Sequence, residues 1–334
     1  MNNLKKIGLS ALAGSLAVTS ASAFDYTVSG TATMAYSSVD APAFAPSTTG
    51  KGLGLATDLT FAGNGELDNG YTVDWFMVLD TNGAVSNTSG TLALGMGSLG
   101  TLQFNNKFGA KANGIDDVMP AAYNETWDGL TSAGNNPSFF GSSTANGSID
   151  YRAPALDLAG ITANLALTYD PAAGEGPATK GGQNTVNNVG TAVVLELSHE
   201  SGLSIGAGQE NVDSDVAGTD AESVTAYVKY SMGPITVGYQ EAYQNSANRA
   251  QDLEGTMMGI SYTAGDLSVS YGESSYTSHA IGATAAIETD IDSIQAAYTM
   301  GAMTISAAMS ETGNAGNVVG QTHEENEIAV TFAF

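Results

Sequence analysis

Runs of about ten residues in which every second side chain is bulky and apolar recur along almost the whole chain, and this period of two limits the fold more than any other feature. A strand turns successive side chains to opposite faces, so such a run has one apolar and one mild face. One face collects Leu55, Leu59 and Phe61, then Val73, Trp75, Met77 and Leu79, then Ile161, Leu165, Leu167 and Tyr169. The pattern continues through Ile235, Val237 and Tyr239, Ile260 and Tyr262, and Leu267, Val269 and Tyr271. The opposite face carries Asp58, Asp74, Asn164, Glu196, Thr236, Gln240, Ser268 and Ser270. In a soluble sandwich the apolar face would be the core; in a membrane barrel it faces lipid and the polar face lines water.

The breaks between runs are of two kinds, and they alternate. Short, mostly glycine-rich breaks fall at 63–69, 97–100, 157–160, 200–202, 233–234, 264–266 and 301–302. Long breaks rich in Ser, Asn, Gly and Asp fall at 38–51, 81–90, 110–146, 171–188, 212–220, 244–252, 277–287 and 312–322. Seven turns and eight loops join sixteen strands, with both chain ends on the short-turn side. Phe61, Tyr71, Tyr230, Tyr262, Tyr298 and Phe332 lie near short turns or the C-terminus, where amphipathic rings would form a girdle at the headgroup level.

The N-terminus reads as a secretory leader: Lys5 and Lys6, an apolar stretch from Ile7 to Val18, and the small-residue site Ala21-Ser22-Ala23. Cleavage there leaves a single barrel domain, residues 24–334, with seven basic and 34 acidic residues, a formal charge of −27. No later stretch approaches the roughly 18 apolar residues of a spanning helix, so a membrane fold must be a closed barrel. There is no cysteine, and stability has to come from packing and ladder hydrogen bonds. The acidic excess argues against nucleic acid, whose phosphates demand Lys and Arg.

Three motif matches carry little chemistry. Gly202-Leu-Ser204-Ile-Gly206 fits a nucleophile elbow but falls inside an alternating strand, not on a strand-to-helix turn. Gly95-Met-Gly97-Ser-Leu-Gly100 matches a dinucleotide fingerprint but lacks a following helix and reads as a hairpin turn. The stretch from Asp213 to Asp220 resembles a calcium loop with two ligand positions missing; it reads as a solvated acidic loop, with loosely bound calcium the alternative. His199, His279 and His323 form no ligand-spaced pair. No cofactor is expected, and no catalytic set.

The longest loop, 110–146, is unusual for a compact domain and such loops are often functional. It holds Asp116, Asp117, Glu125 and Asp128, with Trp127, Phe139 and Phe140, whose rings need an apolar surface to fold back on. Lys107 and Arg152 fall on the polar face of the flanking strands, and with Lys111 they are three of the seven basic residues of the mature chain. The expectation is an acidic loop facing a basic wall across a water-filled lumen.

At this point the chain resembles the bacterial general-diffusion porins. The marks are the terminal Phe334, the alternation Ile328-Ala-Val330-Thr-Phe332-Ala-Phe334 before it, and the long third loop. The resemblance implies an all-β fold: a transmembrane antiparallel β-barrel of about 16 strands with short periplasmic turns and long extracellular loops. It implies a homotrimer in outer-membrane lipid that passes small hydrophilic solutes passively, with Phe334 as an assembly signal. It also implies a pore constriction with Asp116, Asp117, Glu125 and Asp128 on the inward-folding loop, opposed by Lys107, Lys111 and Arg152. The surplus of carboxylates predicts a mild preference for cations. Few arginines depart from the family pattern and weaken the expected transverse field. The rival reading is a secreted or surface-attached acidic β-protein of adhesin type.

Overall fold

The computed structural model describes residues 24–41, 49–80, 85–107, 109–128, 139–174, 187–216, 220–246, 251–280 and 286–334. The predicted leader lies outside the described residues. Among the described residues there are seventeen strands: β1 (Asp25–Asp40), β2 (Gly50–Glu66), β3 (Thr72–Asp80), β4 (Ser86–Gly95), β5 (Thr101–Asn106), β6 (Ile149–Arg152), β7 (Leu156–Leu158), β8 (Ile161–Asp170) and β9 (Val189–His199). There follow β10 (Leu203–Asp213), β11 (Ala221–Met232), β12 (Ile235–Ser246), β13 (Gln251–Ala264), β14 (Leu267–Ala280), β15 (Ile287–Met300), β16 (Met303–Gly313) and β17 (Thr322–Ala333). Strands β6 and β7 both pair with β8 and are two halves of one crossing, interrupted around Pro154, which has no N–H for the ladder. The barrel therefore has 16 crossings.

Each crossing pairs antiparallel with the next, and β17 pairs with β1 from Thr31↔Ala333 to Asp40↔Glu324, so the sheet closes on itself. Closure joins the first crossing to the last, which is what lipid demands of a strand-built wall; only the short β7 is paired on one side alone among the described residues. Phe334 completes the seam. Its N–H donates to the Gly30 carbonyl at 3.0 Å, and the Gly30 N–H donates to the Phe334 carbonyl at 2.8 Å.

The seven short connections fall where the alternation breaks. The first is shorter than the sequence implies: β2 runs on to Glu66, and only Leu67–Tyr71 turns. Several strands also extend into stretches read as loop; β1 reaches Asp40 and β12 Ser246. Polar residues satisfy ladder hydrogen bonds as well as apolar ones, so the sheet continues beyond the apolar band.

The distribution of side chains is inverted relative to a soluble protein. Ile235, Val237, Tyr239, Ile260, Tyr262, Val269, Tyr271 and Ile294 all lie on the exposed exterior. Gln103, Asp150, Thr168, Glu210, Ser223 and Gln244 are buried, and consecutive strands bring them together in a single row across the inner wall. On β14–β17 and β1 the exterior turns acidic at the loop end, where Glu273, Asp292, Glu311, Glu324 and Asp40 stand side by side. That row marks the upper edge of the apolar band.

Candidate functional site: the lumenal loop and the passage beside it

The segment between β5 and β6 leaves the wall at Lys107 and returns to it at Ser148. Its two stems are zipped together: Asn105 N–H donates to the Ser148 carbonyl (2.9 Å), Gly147 N–H to the Asn105 carbonyl (3.0 Å), and Lys107 N–H to Asn146 Oδ1 (2.6 Å). Lys107 adopts φ 71°, an uncommon left-handed conformation for a residue with a Cβ, and turns the chain off the strand.

From that root the loop runs along the inside of the barrel. Val118 N–H donates to Gln240 Oε1 on β12 (3.0 Å), and Gln240 Nε2 donates back to the Ile115 and Asp116 carbonyls. Ala122 N–H reaches Ser270 Oγ on β14, and the Tyr123 and Asn124 N–H groups both reach Gln295 Oε1 on β15. At the far side the Tyr123 hydroxyl donates to Glu327 on β17. All but the last of these bonds satisfy a loop backbone group that would otherwise be stranded away from water.

Apolar contacts fix the same path. Ile115 and Phe140, both fully buried, pack on Ala166, Ala192, Val194 and Tyr227 of β8, β9 and β11. Phe139 packs with Ala242, Leu253, Met257 and Tyr276 of β12–β14. These are the apolar cores among the described residues, and both lie between loop and wall. Burying Phe140 and Ile115 is worth roughly 1.5–3 kcal/mol each.

Glycines on the inner wall set how closely the loop approaches. A Cβ on Gly238 would stand 2.9 Å from Met119 Sδ, one on Gly259 2.9 Å from Pro120 Cδ, and one on Gly272 2.0 Å from Thr126 Oγ1. Gly208 is covered by Phe140 in the same way. Sequence reading missed these positions. Their signal was a glycine in the interior of a strand, which marks the close approach of another backbone.

The loop thus covers the inner wall of β8–β15 and leaves a passage toward β16, β17, β1 and β2. A cavity of about 380 Å³ there is lined by Tyr123, Asn124 and Asp128 of the loop and by Ser310, Glu325, Glu327 and Thr33 of the wall. Of the four loop acids, Asp128 is exposed on this passage. Asp116 and Asp117 sit further back, beside Gln240; Asp117 accepts from Met119 N–H at 2.8 Å. Burial raises the Asp117 carboxyl above its ordinary range, and the Met119 N–H and the Lys229 charge oppose that shift. Glu125 is pushed up to about 8, first by burial and then by Asp117, Asp116 and Asp128. Burial, followed by the bond to Glu327, raises the Tyr123 hydroxyl.

The basic residues occupy the root of the loop. Arg152 Nη2 donates to the Gly109 carbonyl (2.8 Å) and to Asp150 Oδ2 (3.1 Å). Lys111 pairs with Glu196 on β9, and its N–H donates to Asp150 Oδ2 (2.7 Å). The structure therefore brings Lys111 and Arg152 to wall acids, not to the four loop acids. Lys229, which sequence reading passed over, points inward on β11 and donates to the Val118 carbonyl at 3.3 Å. Its parity with Thr225 and Tyr227 was the available signal. In the stretch that resembles a calcium loop, Asp220 accepts from Ser214 N–H and Asp215 from Asn187; residues 217–219 lie outside the described residues.

A closed sixteen-crossing barrel, apolar outside and polar inside, with a loop against its inner wall, is an outer-membrane channel. The chain belongs to the Gram-negative porins, whose family model matches residues 8–299. It is a passive diffusion channel of the outer membrane. Among curated proteins no relative matches. Solved structures share its fold at low identity. A Salmonella typhi OmpF in complex with daunomycin is 13% identical with a TM-score of 0.69, covering 92% of this chain and 97% of that one. The trimer form of OmpT, an outer membrane protein of Vibrio cholerae, is 10% identical with a TM-score of 0.66, and 93% and 100% are covered. A mutant of the Rh. blastica porin is 14% identical with a TM-score of 0.59, at the same coverage.

Proposed function

We propose that this porin passes small hydrophilic solutes with a mild preference for cations, works as a homotrimer and carries out no reaction. The observation that supports the preference is the composition of the passage. Asp128 on the loop and Glu325 and Glu327 on the wall line it, while Lys111 and Arg152 are engaged by Glu196 and Asp150. Carboxylates around a narrow aqueous path between low-dielectric walls raise the local concentration of cations. Charges on the outer loops are screened within about 8 Å at physiological salt and add little.

The homotrimer is supported by the exterior of β1 and β2. Met34, Tyr36, Leu53 and Leu55 protrude there next to Ala32 and Thr57, and Leu53 is 79% exposed. Small residues between protruding apolar ones allow a second copy to approach closely in lipid. Lipid would cover the rest of the apolar band. The adhesin-type reading has no use for such an exterior. In planar bilayers the purified protein should give ohmic current that grows in proportion to salt, and vesicles carrying it should swell in small sugars. Current that saturates with one solute, or no swelling, would overturn the general-diffusion reading.

A further inference from the structure

Beneath the root of the lumenal loop, the inner wall of β1–β5 holds a recess of about 410 Å³. It lies toward the short-turn end of the barrel. The described part of the loop runs along β8–β15 and does not cover it. Strand register orders its lining. Asp25 stands opposite Asn64, and Asn64 opposite Asp74, in one row of inward side chains across β1, β2 and β3. One step further into the barrel, Thr27, Ala62 and Phe76 form the next row.

Phe76 is out of place on a water-facing wall. Among the described residues, the other wall rings that point inward are Tyr227 and Tyr276, and both are buried beneath the loop rings Phe140 and Phe139. Phe76 has only the smaller Ala62 and Thr91 as cross-strand neighbours, and it borders the recess half-buried. The charge around it is one-sided. Asp25 and Asp74 are exposed to the recess, and among the described residues they take part in no ion pair. No Lys or Arg lines it. Arg152 shares the Gly109 carbonyl with the Gln103 amide at the edge of the recess and is engaged by Asp150.

We propose that this recess binds organic cations that join one ammonium group to an apolar body the size of a phenyl ring. The body rests on Phe76 over the space that Ala62 leaves. The ammonium lies between that ring and Asp74, which is two residues away on the same face of β3, about 7 Å along the strand. The negative face of a ring attracts a cation held within about 6 Å of it, and Asp25, two strands away, adds a second charge of the same sign. The volume falls in the ordinary range of small-molecule sites, roughly 300–1,000 Å³, where an apolar surface meets a few placed polar groups. An inorganic cation has no use for the ring, and a neutral sugar has none for two carboxylates without a counter-charge. Asp128, Glu325 and Glu327 do not line the recess, so the proposal does not rest on the cation preference of the passage.

The test adds phenylethylammonium chloride to single channels of the full chain in a planar bilayer. Transient reductions of the potassium chloride current should appear, at a frequency proportional to the concentration added. Methylammonium has the charge without the body, and 2-phenylethanol has the body without the charge. Each should give dwell times shorter by about tenfold. Phe76→Ala should bring the dwell time of phenylethylammonium down to that of methylammonium, and Asp25→Asn with Asp74→Asn down to that of 2-phenylethanol. Should the alanine variant fail to insert, Phe76→Leu, which keeps an apolar side chain and loses the ring, should shorten the dwell several-fold. Asp128→Asn with Glu325→Gln, in the passage, should leave the dwell time in place while it shifts the reversal potential. A channel without cation preference that keeps the dwell leaves the recess assigned. The proposal is overturned if the wild type shows no reductions, or if methylammonium dwells as long as phenylethylammonium. It is overturned equally if the passage variant abolishes the dwell and the Phe76 variant does not.

Discussion

The hydroxyl of Tyr123, at the tip of the lumenal loop, donates a hydrogen bond to the carboxylate of Glu327 on the closing strand, so the loop is tied to the wall opposite its root. A hydrogen bond to a charged acceptor is worth about 1.5–3 kcal/mol. Tyr123→Phe should therefore leave the barrel folded but free the loop tip. Single-channel records should show excess open-state noise and a broader conductance distribution than the wild type. Records indistinguishable from the wild type would mean that the Gln295 and Ser270 bonds hold the tip alone.

The glycines under the loop predict an asymmetric response to alanine. Gly272→Ala puts a methyl 2.0 Å from Thr126 Oγ1, whereas Gly54→Ala meets nothing within 4 Å. The first should displace the loop into the passage and lower conductance, at a cost of about 1–3 kcal/mol for overpacking. The second, whose methyl stands free on the wall of the passage, should leave the loop in place and the melting temperature unchanged, with far less effect on conductance than the first. Equal effects from the two would show that the loop does not rest on this row.

These glycines also mark where sequence reading ended. Alternation and turn spacing were enough for the sixteen crossings, because a period of two and a tight turn are local properties. The rings Phe139 and Phe140 announced that the long loop needed an apolar surface, yet Val194, Leu253 and Met257, which supply it, sit at positions that parity alone marks as water-facing. Which part of the wall a loop follows depends on contacts between residues a hundred or more apart, such as Val118 with Gln240. For the same reason Lys111 and Arg152 looked free to oppose the loop acids. Their partners Glu196 and Asp150 become visible only once the strands are in register.

Glu125 gives the channel a pH dependence. Its folded-state value of about 8 lies above the ordinary 4.5, so the folded protein holds this proton more tightly than the unfolded chain. The resulting stabilisation of the loop is complete below 4.5 and is lost as pH rises through 8. Deprotonation also adds a negative charge to the lumen. Cation preference should therefore rise between pH 7 and 9 in the wild type, and Glu125→Gln should remove that step. A flat profile in the wild type would place Glu125 in a more hydrated setting.

Phe334 closes the seam with β1 through two backbone hydrogen bonds, and its ring lies over Gly30, where a Cβ would meet Cε2 at 2.8 Å. Deleting Phe334 should lower the amount of protein in the outer membrane several-fold while the channels that do form keep wild-type conductance. Normal membrane levels would remove any role in assembly.

The reversal potential across a bilayer in a salt gradient tests the central claim most directly. With potassium chloride the wild type should give a potential of the sign set by cations. Asp128→Asn, Glu325→Gln and Glu327→Gln together should carry it most of the way toward the non-selective value. Asp213→Asn with Asp215→Asn, on the outer loop, should leave it almost unchanged. A wild type that selects anions, or equal shifts from the two sets, would contradict the assignment of selectivity to the passage between Tyr123 and the closing strand.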